Sequence, residues 1–159
     1  MPSTYPTSYI ATTAAAVTRN ADVLIAGDII TDAAGSGYAE ISSIWSISNG
    51  QAFILGRGVN SILQRNGGSI GVEIYDSTNV AVKDGSNYYN SVVPVAGTWG
   101  VAMNVYNAGA GTPAAYDGTM GSGSLNIGNS SASGGQWNGT VRNVKIFDSE
   151  LTAAEVADL

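Results

Sequence analysis

Short runs of apolar and β-branched residues alternate along this chain with turns rich in Gly, Asn and Asp. The clearest two-residue period lies in residues 38–48, and Asn49-Gly50, the strongest short hairpin signal, follows it directly. Its more apolar positions are expected to face a core: Ile41, Ser43, Trp45 and Ile47. Turn signals recur about every 8–12 residues, a spacing typical of a sandwich. We therefore predict an all-β, antiparallel β-sandwich of the jelly-roll type.

Other strands are expected wherever the same composition recurs. Residues 32–37 are interpreted as a turn because they cluster Asp, Ser and Gly. Residues 98–106 are interpreted as one strand, with one face made of Trp99, Val101, Met103 and Val105. The remaining predicted strands are 23–26, 29–31, 51–56, 60–65, 69–75, 80–83, 92–95, 113–116, 124–128 and 140–147.

The last predicted strand has an irregular pattern. Val141 is followed by Val144 and Ile146, which breaks strict alternation and predicts a β-bulge near Asn143. The run Thr152-Ala-Ala-Glu155 then has the form of a capping box, in which the Glu side chain reaches back to the cap nitrogen. A short C-terminal helix is therefore expected after the last strand.

Charge argues against two classes of partner. The chain of 159 residues carries 12 acidic and 6 basic residues, a net charge of −6, and only 11% of its residues are charged. Nucleic-acid binding needs clustered Lys and Arg, and anionic membranes attract the same clusters. The six basic residues are scattered, so neither nucleic acid nor a membrane is an expected partner.

Two stretches of the chain resemble known proteins. GQWNGTVRNVKIFDSELTAAEVADL, residues 135–159, looks like the C-terminal signature of laminin G-like, concanavalin A-like sandwich domains: an aromatic-Asn-Gly, a strand with basic residues, an aromatic, then Leu-Ser/Thr-x-x-Glu. PTSYIATTAAAVTRNADV, residues 6–23, is similar to the lead-in of many bacteriophage structural proteins ahead of such a domain. The resemblance implies a concanavalin A-like domain over residues 21–159, preceded by an extended arm, residues 1–20.

The same resemblance implies a function. The expected protein is a non-catalytic virion component on the phage particle surface, either a capsid decoration protein or a tail or fibre protein. It would contact other virion proteins, self-associate as a dimer or trimer, and bind host surface polysaccharide through its lectin-like sandwich. The alternatives are a carbohydrate-binding module for host adsorption without a particle-stabilising role and, less favoured, a polysaccharide depolymerase.

Catalysis is disfavoured by the residues themselves. Glycosidases need two carboxylates at a defined separation, and hydrolases of this fold usually carry them on one strand as Glu-x-Asp-x-x-Glu, a pattern that the sequence lacks. The chain has no His, which removes the commonest general base and leaves a Ser nucleophile without its His base. We therefore expect no enzymatic activity.

Candidate ligand contacts lie in one polar, aromatic loop and at one tryptophan. Sugars stack their C–H faces on aromatic rings while amides and carboxylates bind hydroxyl groups. The predicted glycan contacts are Asp84, Asn87, Tyr88, Tyr89, Asn90 and Trp137. Trp137 has a second interpretation, because an aromatic residue at this place in the resembled family packs under the last strand.

Metal ligands are weaker candidates. Laminin G-like domains often hold Ca²⁺ through Asp, Asn and backbone oxygens in rim loops, and Ca²⁺ takes six to eight oxygen ligands. By their chemistry the candidate pairs are Asp28 with Asp32, Asp76 with Asn79, and Asp84 with Asn87. The favoured interpretation of each pair is an Asx-turn, in which the side chain bonds its own backbone. No cofactor is therefore expected, with Ca²⁺ as the one candidate.

Overall fold

The strands form where β-branched and aromatic residues are concentrated between turn residues. A computed structural model describes residues 24–43, 52–58, 60–65, 72–83, 91–129, 135, 137 and 139–159. Within these residues it contains eleven strands and one helix. In chain order they are β1 (Leu24–Ala26), β2 (Gly35–Ser43), β3 (Ala52–Arg57), β4 (Asn60–Arg65), β5 (Val72–Tyr75), β6 (Val80–Lys83), β7 (Val93–Trp99), β8 (Ala102–Asn107), β9 (Ala114–Ala115), β10 (Leu125–Ile127), β11 (Gly139–Phe147) and α1 (Ala153–Ala157).

The strands pair into two antiparallel sheets. One sheet has the order β1-β10-β3-β4-β5-β6, and the other has the order β11-β2-β7-β8-β9. The hydrophobic core includes residues of both sheets, among them Ile41, Leu55, Ile62, Ile74, Trp99 and Met103. This two-sheet, all-β sandwich with a short C-terminal helix confirms the predicted fold class.

The turn predicted at residues 32–37 is wrong in its second half, because β2 already begins at Gly35. A Cβ atom at Gly35 would lie 2.2 Å from the Trp99 ring, and one at Gly37 would lie 2.5 Å from Ile62. These glycines are strand residues that leave room for large neighbours in the core. The strand predicted at residues 29–31 is also absent, since this segment is a loop that accepts a hydrogen bond from Trp99 Nε1 at the Thr31 carbonyl oxygen.

The single strand predicted over residues 98–106 is instead the end of β7, a turn and most of β8. Trp99, Met103 and Val105 are buried as predicted, but Val101 lies in the turn and is 94% exposed. A Cβ atom at Gly100 would lie 2.5 Å from Glu150 Oε2, whereas glycine fits beside that carboxylate. The prediction failed because Val101, an apolar residue in the turn between β7 and β8, happens to fit the two-residue period of the strands on either side.

Two local predictions at the C-terminal end are confirmed. The pairing of β11 with β2 shifts register between Arg142 and Lys145, and Asn143 has a φ of 49°, in the left-handed region that Asn tolerates. Thr152 is the N-cap of α1, and both hydrogen bonds of the capping box with Glu155 are present.

Some sequence-based predictions lie outside the described residues. They include the arm at residues 1–20 and the strand positions Trp45 and Ile47. In the part of the chain that the structure describes, no helix has the length and hydropathy needed to cross a membrane.

Candidate functional site

The loop with the predicted glycan contacts lies outside the described residues. The contacts predicted there therefore stay predictions: Asp84, Asn87, Tyr88, Tyr89 and Asn90.

Trp137 is a core residue rather than an exposed platform. Its side chain is 7% exposed and belongs to the hydrophobic core. Its indole Nε1 donates to the Ser42 carbonyl oxygen at 3.1 Å, and its backbone amide donates to the Gly128 carbonyl oxygen at 2.9 Å. This packing agrees with the second interpretation of Trp137, and its role as a glycan contact, which needs an open ring face, stays a prediction.

Asp28 and Asp32 bind an arginine. The buried Arg57 donates from Nη2 to Asp28 Oδ1 at 2.6 Å and from Nη1 to Asp32 Oδ1 at 3.0 Å. The same Asp32 oxygen accepts the Met120 amide at 3.1 Å. An arginine needs paired carboxylates when it is buried, and a Ca²⁺ ion would have to displace it. The two residues do not fit the weak calcium prediction, and among the described residues no group of three potential metal ligands occurs.

Asp76 and Asn79 form the predicted Asx-turn. Asp76 is fully buried, and its Oδ1 accepts the amides of Thr78 at 2.9 Å and Asn79 at 2.6 Å. Its Oδ2 accepts the Asp117 amide at 3.0 Å and the Asn79 side-chain amide at 3.3 Å. The carboxylate therefore holds two turns together, which is a structural role.

A groove of about 420 Å³ lies on the outer face of the five-stranded sheet. Its floor contains a cross-strand row in which Tyr38 of β2 is paired with Ala96 of β7, and Ala96 with Tyr106 of β8. Neighbouring strands are about 4.8 Å apart, so the strands of the two tyrosines are about 10 Å apart with the small Ala96 between them. Two aromatic side chains thus flank a shallow channel across the strands.

The C-terminal segment forms the other wall of this groove. We call residues 148–159 the strap. The strap contributes Ala153, Val156, Ala157 and Leu159 to the groove lining. Ser36 ties its beginning to β2, because Ser36 Oγ donates to the Ser149 carbonyl oxygen at 2.8 Å and accepts the Leu151 amide at 2.9 Å. Lys145 ties its end, donating from Nζ to the Leu159 carbonyl oxygen at 3.1 Å.

Charged side chains surround Tyr38 at one end of the groove. The Lys145 ammonium lies 5.2 Å from the centre of the Tyr38 ring, a cation–π contact. Burial raises the pKa of the Tyr38 hydroxyl, and the Glu40 carboxylate raises it further. Glu40 itself accepts 2.7 Å hydrogen bonds from Asn143 Nδ2 and Arg142 Nε, and these bonds lower its pKa. The Glu40 side chain is therefore bonded to the β-bulge of β11, and the hydroxyl group of Tyr38 stays neutral.

Sequence reasoning did not single out Tyr38 or Tyr106 as functional residues. Tyr38 directly precedes the core residue Ala39, and Tyr106 directly follows the core residue Val105. Because side chains alternate between the two faces of a strand, both tyrosines lie on the outer face of the sheet. An outward aromatic residue in a strand was the available signal. The sequence could not show that the pairing of β2, β7 and β8 brings the two tyrosines into one row.

Comparison with known proteins addresses the fold. No protein-family model matches the sequence, and a search of curated proteins finds no match. Among solved structures, a native heptameric SAP-like pentraxin from Limulus polyphemus matches with a TM-score of 0.60 and 14% identity, over 82% of this chain and 72% of the pentraxin. Domain 4 of AbnA, a GH43 extracellular arabinanase from Geobacillus stearothermophilus in complex with arabinotriose, matches with a TM-score of 0.56 and 16% identity, over 84% of this chain and 70% of the domain.

A third similar structure is a Trypanosoma rangeli sialidase, with a TM-score of 0.57 and 19% identity over 79% of this chain. The chain spans only 22% of that sialidase. At these identities the similarity defines the fold. The chain shares the antiparallel two-sheet β-sandwich fold of these structures, which confirms the concanavalin A-like fold implied by the C-terminal resemblance.

Proposed function

We propose that this protein is a non-catalytic carbohydrate-binding module that holds a saccharide in the groove between the strap and the five-stranded sheet. The observation that carries the proposal is the row Tyr38–Ala96–Tyr106 on the floor of that groove. The groove volume of about 420 Å³ falls in the range of small-ligand sites, which is about 300–1,000 Å³.

The chemistry of the lining suits a sugar. Tyrosine offers an apolar ring and a hydroxyl, so one side chain can both cover a C–H face and bond a hydroxyl group. Ala96 and the turn Ala108–Gly109–Ala110 leave open space beside the rings. The arabinanase domain of the same fold was solved with arabinotriose, which supports a saccharide as the class of ligand.

The proposal that the module is not an enzyme rests on the same residues. Hydrolysis of a glycoside needs an acid and a second carboxylate about 5–9.5 Å apart. Among the described residues that line the groove, none carries a carboxylate side chain. The nearby Glu40 is held by Arg142 and Asn143 with a lowered pKa, the opposite of what a general acid needs.

A glycan array followed by titration calorimetry tests the site. Tyr106→Ala should weaken binding of any glycan that the wild-type protein retains by about tenfold or more, since one stacked ring contributes about 1–3 kcal/mol in comparable aromatic stacking. Tyr106→Phe removes the hydroxyl group but keeps the ring, so it should lower the glycan affinity less than Tyr106→Ala does. Tyr75→Phe, on the other sheet, is the matched control.

The predicted loop provides a competing site in the same assay. If Tyr88→Ala with Tyr89→Ala abolishes binding while Tyr106→Ala leaves it intact, the glycan site is the loop and not the groove. The proposed function would be overturned if the wild-type protein binds no glycan on the array, or if it turns over a polysaccharide in a reducing-end assay.

A virion role is a second proposal, and the similarity of residues 6–23 to a phage lead-in favours it. In this role the module is a capsid decoration or tail component on the particle surface, self-associated as a dimer or trimer and in contact with other virion proteins. Mass photometry and binding to particles that lack the protein test it. If the protein is strictly monomeric and does not bind such particles, the virion role is refuted, whereas the proposed carbohydrate binding is not affected.

A further inference from the structure

The tyrosine row is covered in this conformation. Tyr38 is 5% exposed, whereas Tyr106 on the other side of Ala96 is half-buried. Stacking against a sugar requires one open ring face, which Tyr38 does not have here. A saccharide that uses both tyrosines therefore requires the cover over Tyr38 to move.

Lys145 of β11 lies over the Tyr38 ring, and the strap lines the groove beside it and accepts a hydrogen bond from Lys145 at Leu159. The strap itself is weakly attached to the sheet. Helix α1 has no buried residue. Its hydrogen bonds are internal: Thr152 Oγ1 accepts the Glu155 amide at 3.4 Å, and the Val156 amide donates to the Thr152 carbonyl oxygen at 3.0 Å. A five-residue helix is not stable in water without contacts to the rest of a protein. Release of the strap from the sheet should therefore melt α1.

The polar attachments of the strap lie on either side of α1. Ser36 makes two of them at the beginning, and Lys145 makes one at the end. Glu150, also before α1, adds a fourth hydrogen bond, in which its Oε2 accepts the Val101 amide at 2.9 Å. Segments with few buried apolar contacts and exposed hydrogen bonds are the ones that open locally, well below the free energy of global unfolding.

The sheet under the beginning of the strap also has an unsatisfied group. Thr98 lies directly opposite Ser36 in the register of β2 and β7. Thr98 Oγ1 is buried and has no hydrogen-bond partner in the closed conformation. A buried hydroxyl without a partner is destabilising, and admitting water at this end of the sheet would satisfy it.

We propose that the strap, residues 148–159, is a cover that releases from Ser36, exposes Tyr38, and closes again over bound saccharide. The inference rests on the proposed function for its ligand. The opening itself is a property of the protein alone, and it can be measured without a ligand.

The first measurement is amide hydrogen exchange on the full chain without ligand. Ser36→Ala removes two hydrogen bonds of the strap, so opening should become about fivefold more frequent or more, and the Val156 amide should exchange faster by that factor. Ser42→Ala is the matched control, because Ser42 lies on the same strand and its Oγ bonds Thr140 Oγ1 rather than the strap. Glu150→Ala is a second strap variant in case Ser36→Ala does not fold.

The second measurement is the association rate with the tightest glycan from the array, by stopped-flow fluorescence. If opening precedes binding, the observed rate in the wild-type protein levels off with rising glycan concentration, and Ser36→Ala raises that limit about fivefold. If the strap is a fixed wall, Ser36→Ala lowers affinity and leaves the association rate unchanged or slower.

The two measurements separate the two proposals. The proposed cover is overturned by an unchanged Val156 exchange rate in both strap variants, or by an association rate that is unchanged or slower in Ser36→Ala. Failure of the wild-type protein to bind any glycan overturns the proposed function, and the exchange data then decide alone whether the strap opens.

Discussion

Trp137 allows a direct test of whether an aromatic residue near the C-terminus stabilises the fold or contacts ligand. Replacing it with Phe removes the 3.1 Å bond from Nε1 to the Ser42 carbonyl oxygen and leaves a void, since the indole is 7% exposed and packed in the core. Loss of a buried hydrogen bond costs about 1–3 kcal/mol, and the smaller ring adds a cavity cost of about 1 kcal/mol. We expect a loss of about 2–4 kcal/mol in the free energy of unfolding.

For a domain of this size, each kcal/mol shifts the melting temperature by about 2–4 °C, so Trp137→Phe should melt roughly 5–15 °C below the wild-type protein. Scanning calorimetry measures this shift, and urea melts at 25 °C give the free energy. Val101→Ala is the control, because a side chain that is 94% exposed should change stability by less than about 0.5 kcal/mol. Glycan affinity of the folded variant should equal that of the wild type. Wild-type stability combined with lost glycan binding would refute the assignment of Trp137 to the core.

Two further predictions concern Asp76 and Thr152. Burial raises the pKa of the Asp76 carboxyl, but hydrogen bonds from Asn79, Thr78 and Asp117 outweigh burial and hold the pKa below its usual 3.8. A lowered pKa in the folded state stabilises the fold above the unfolded-state pKa, and this stabilisation is lost as the pH falls through the folded-state pKa. Asp76→Asn keeps acceptors for two of the four hydrogen bonds, so urea melts at pH 7 should show a loss of about 2–4 kcal/mol in the free energy of unfolding. The stability of the variant should also fall less steeply than that of the wild type as the pH is lowered. Stability curves of the two proteins that superimpose across the pH series would contradict this. Thr152→Ala should destabilise α1 by about 1 kcal/mol and speed hydrogen exchange at the Val156 amide without lowering the global melting temperature. Ser149→Ala is the control: it keeps the carbonyl group that is bonded to Ser36, so exchange at Val156 should stay at the wild-type rate.

Features that depend on a few neighbouring residues could be predicted from the sequence. The bulge at Asn143 follows from a broken two-residue period, and the capping box follows from Thr152 and Glu155 at the required spacing. The Asx-turn at Asp76 is of the same kind. In each case the residues that make the contacts lie within a few positions of one another, so their chemistry is visible in the chain.

Features that depend on distant residues could not be predicted in this way. Gly35 and Gly37 look like turn residues until Trp99 and Ile62 are found against them. Asp28 and Asp32 look like metal ligands until the buried Arg57 is found between them. The groove needs three strands and the strap together, and no local pattern specifies how a sheet aligns Tyr38 with Tyr106.

The pairing of β2 with β11 has a consequence for synthesis of the protein. β2 lies between β7 and β11 in its sheet, and the Glu40–Arg142 contact joins residues 102 positions apart. Closing so long a loop is slow, since chain entropy is lost before the contact forms. While the ribosome adds about 5–20 residues per second, one edge of β2 has no partner strand until β11 has been made. For those seconds the nascent chain exposes an open strand edge, so a chaperone that shields β-edges should raise the yield of folded protein more than one that only shields apolar side chains.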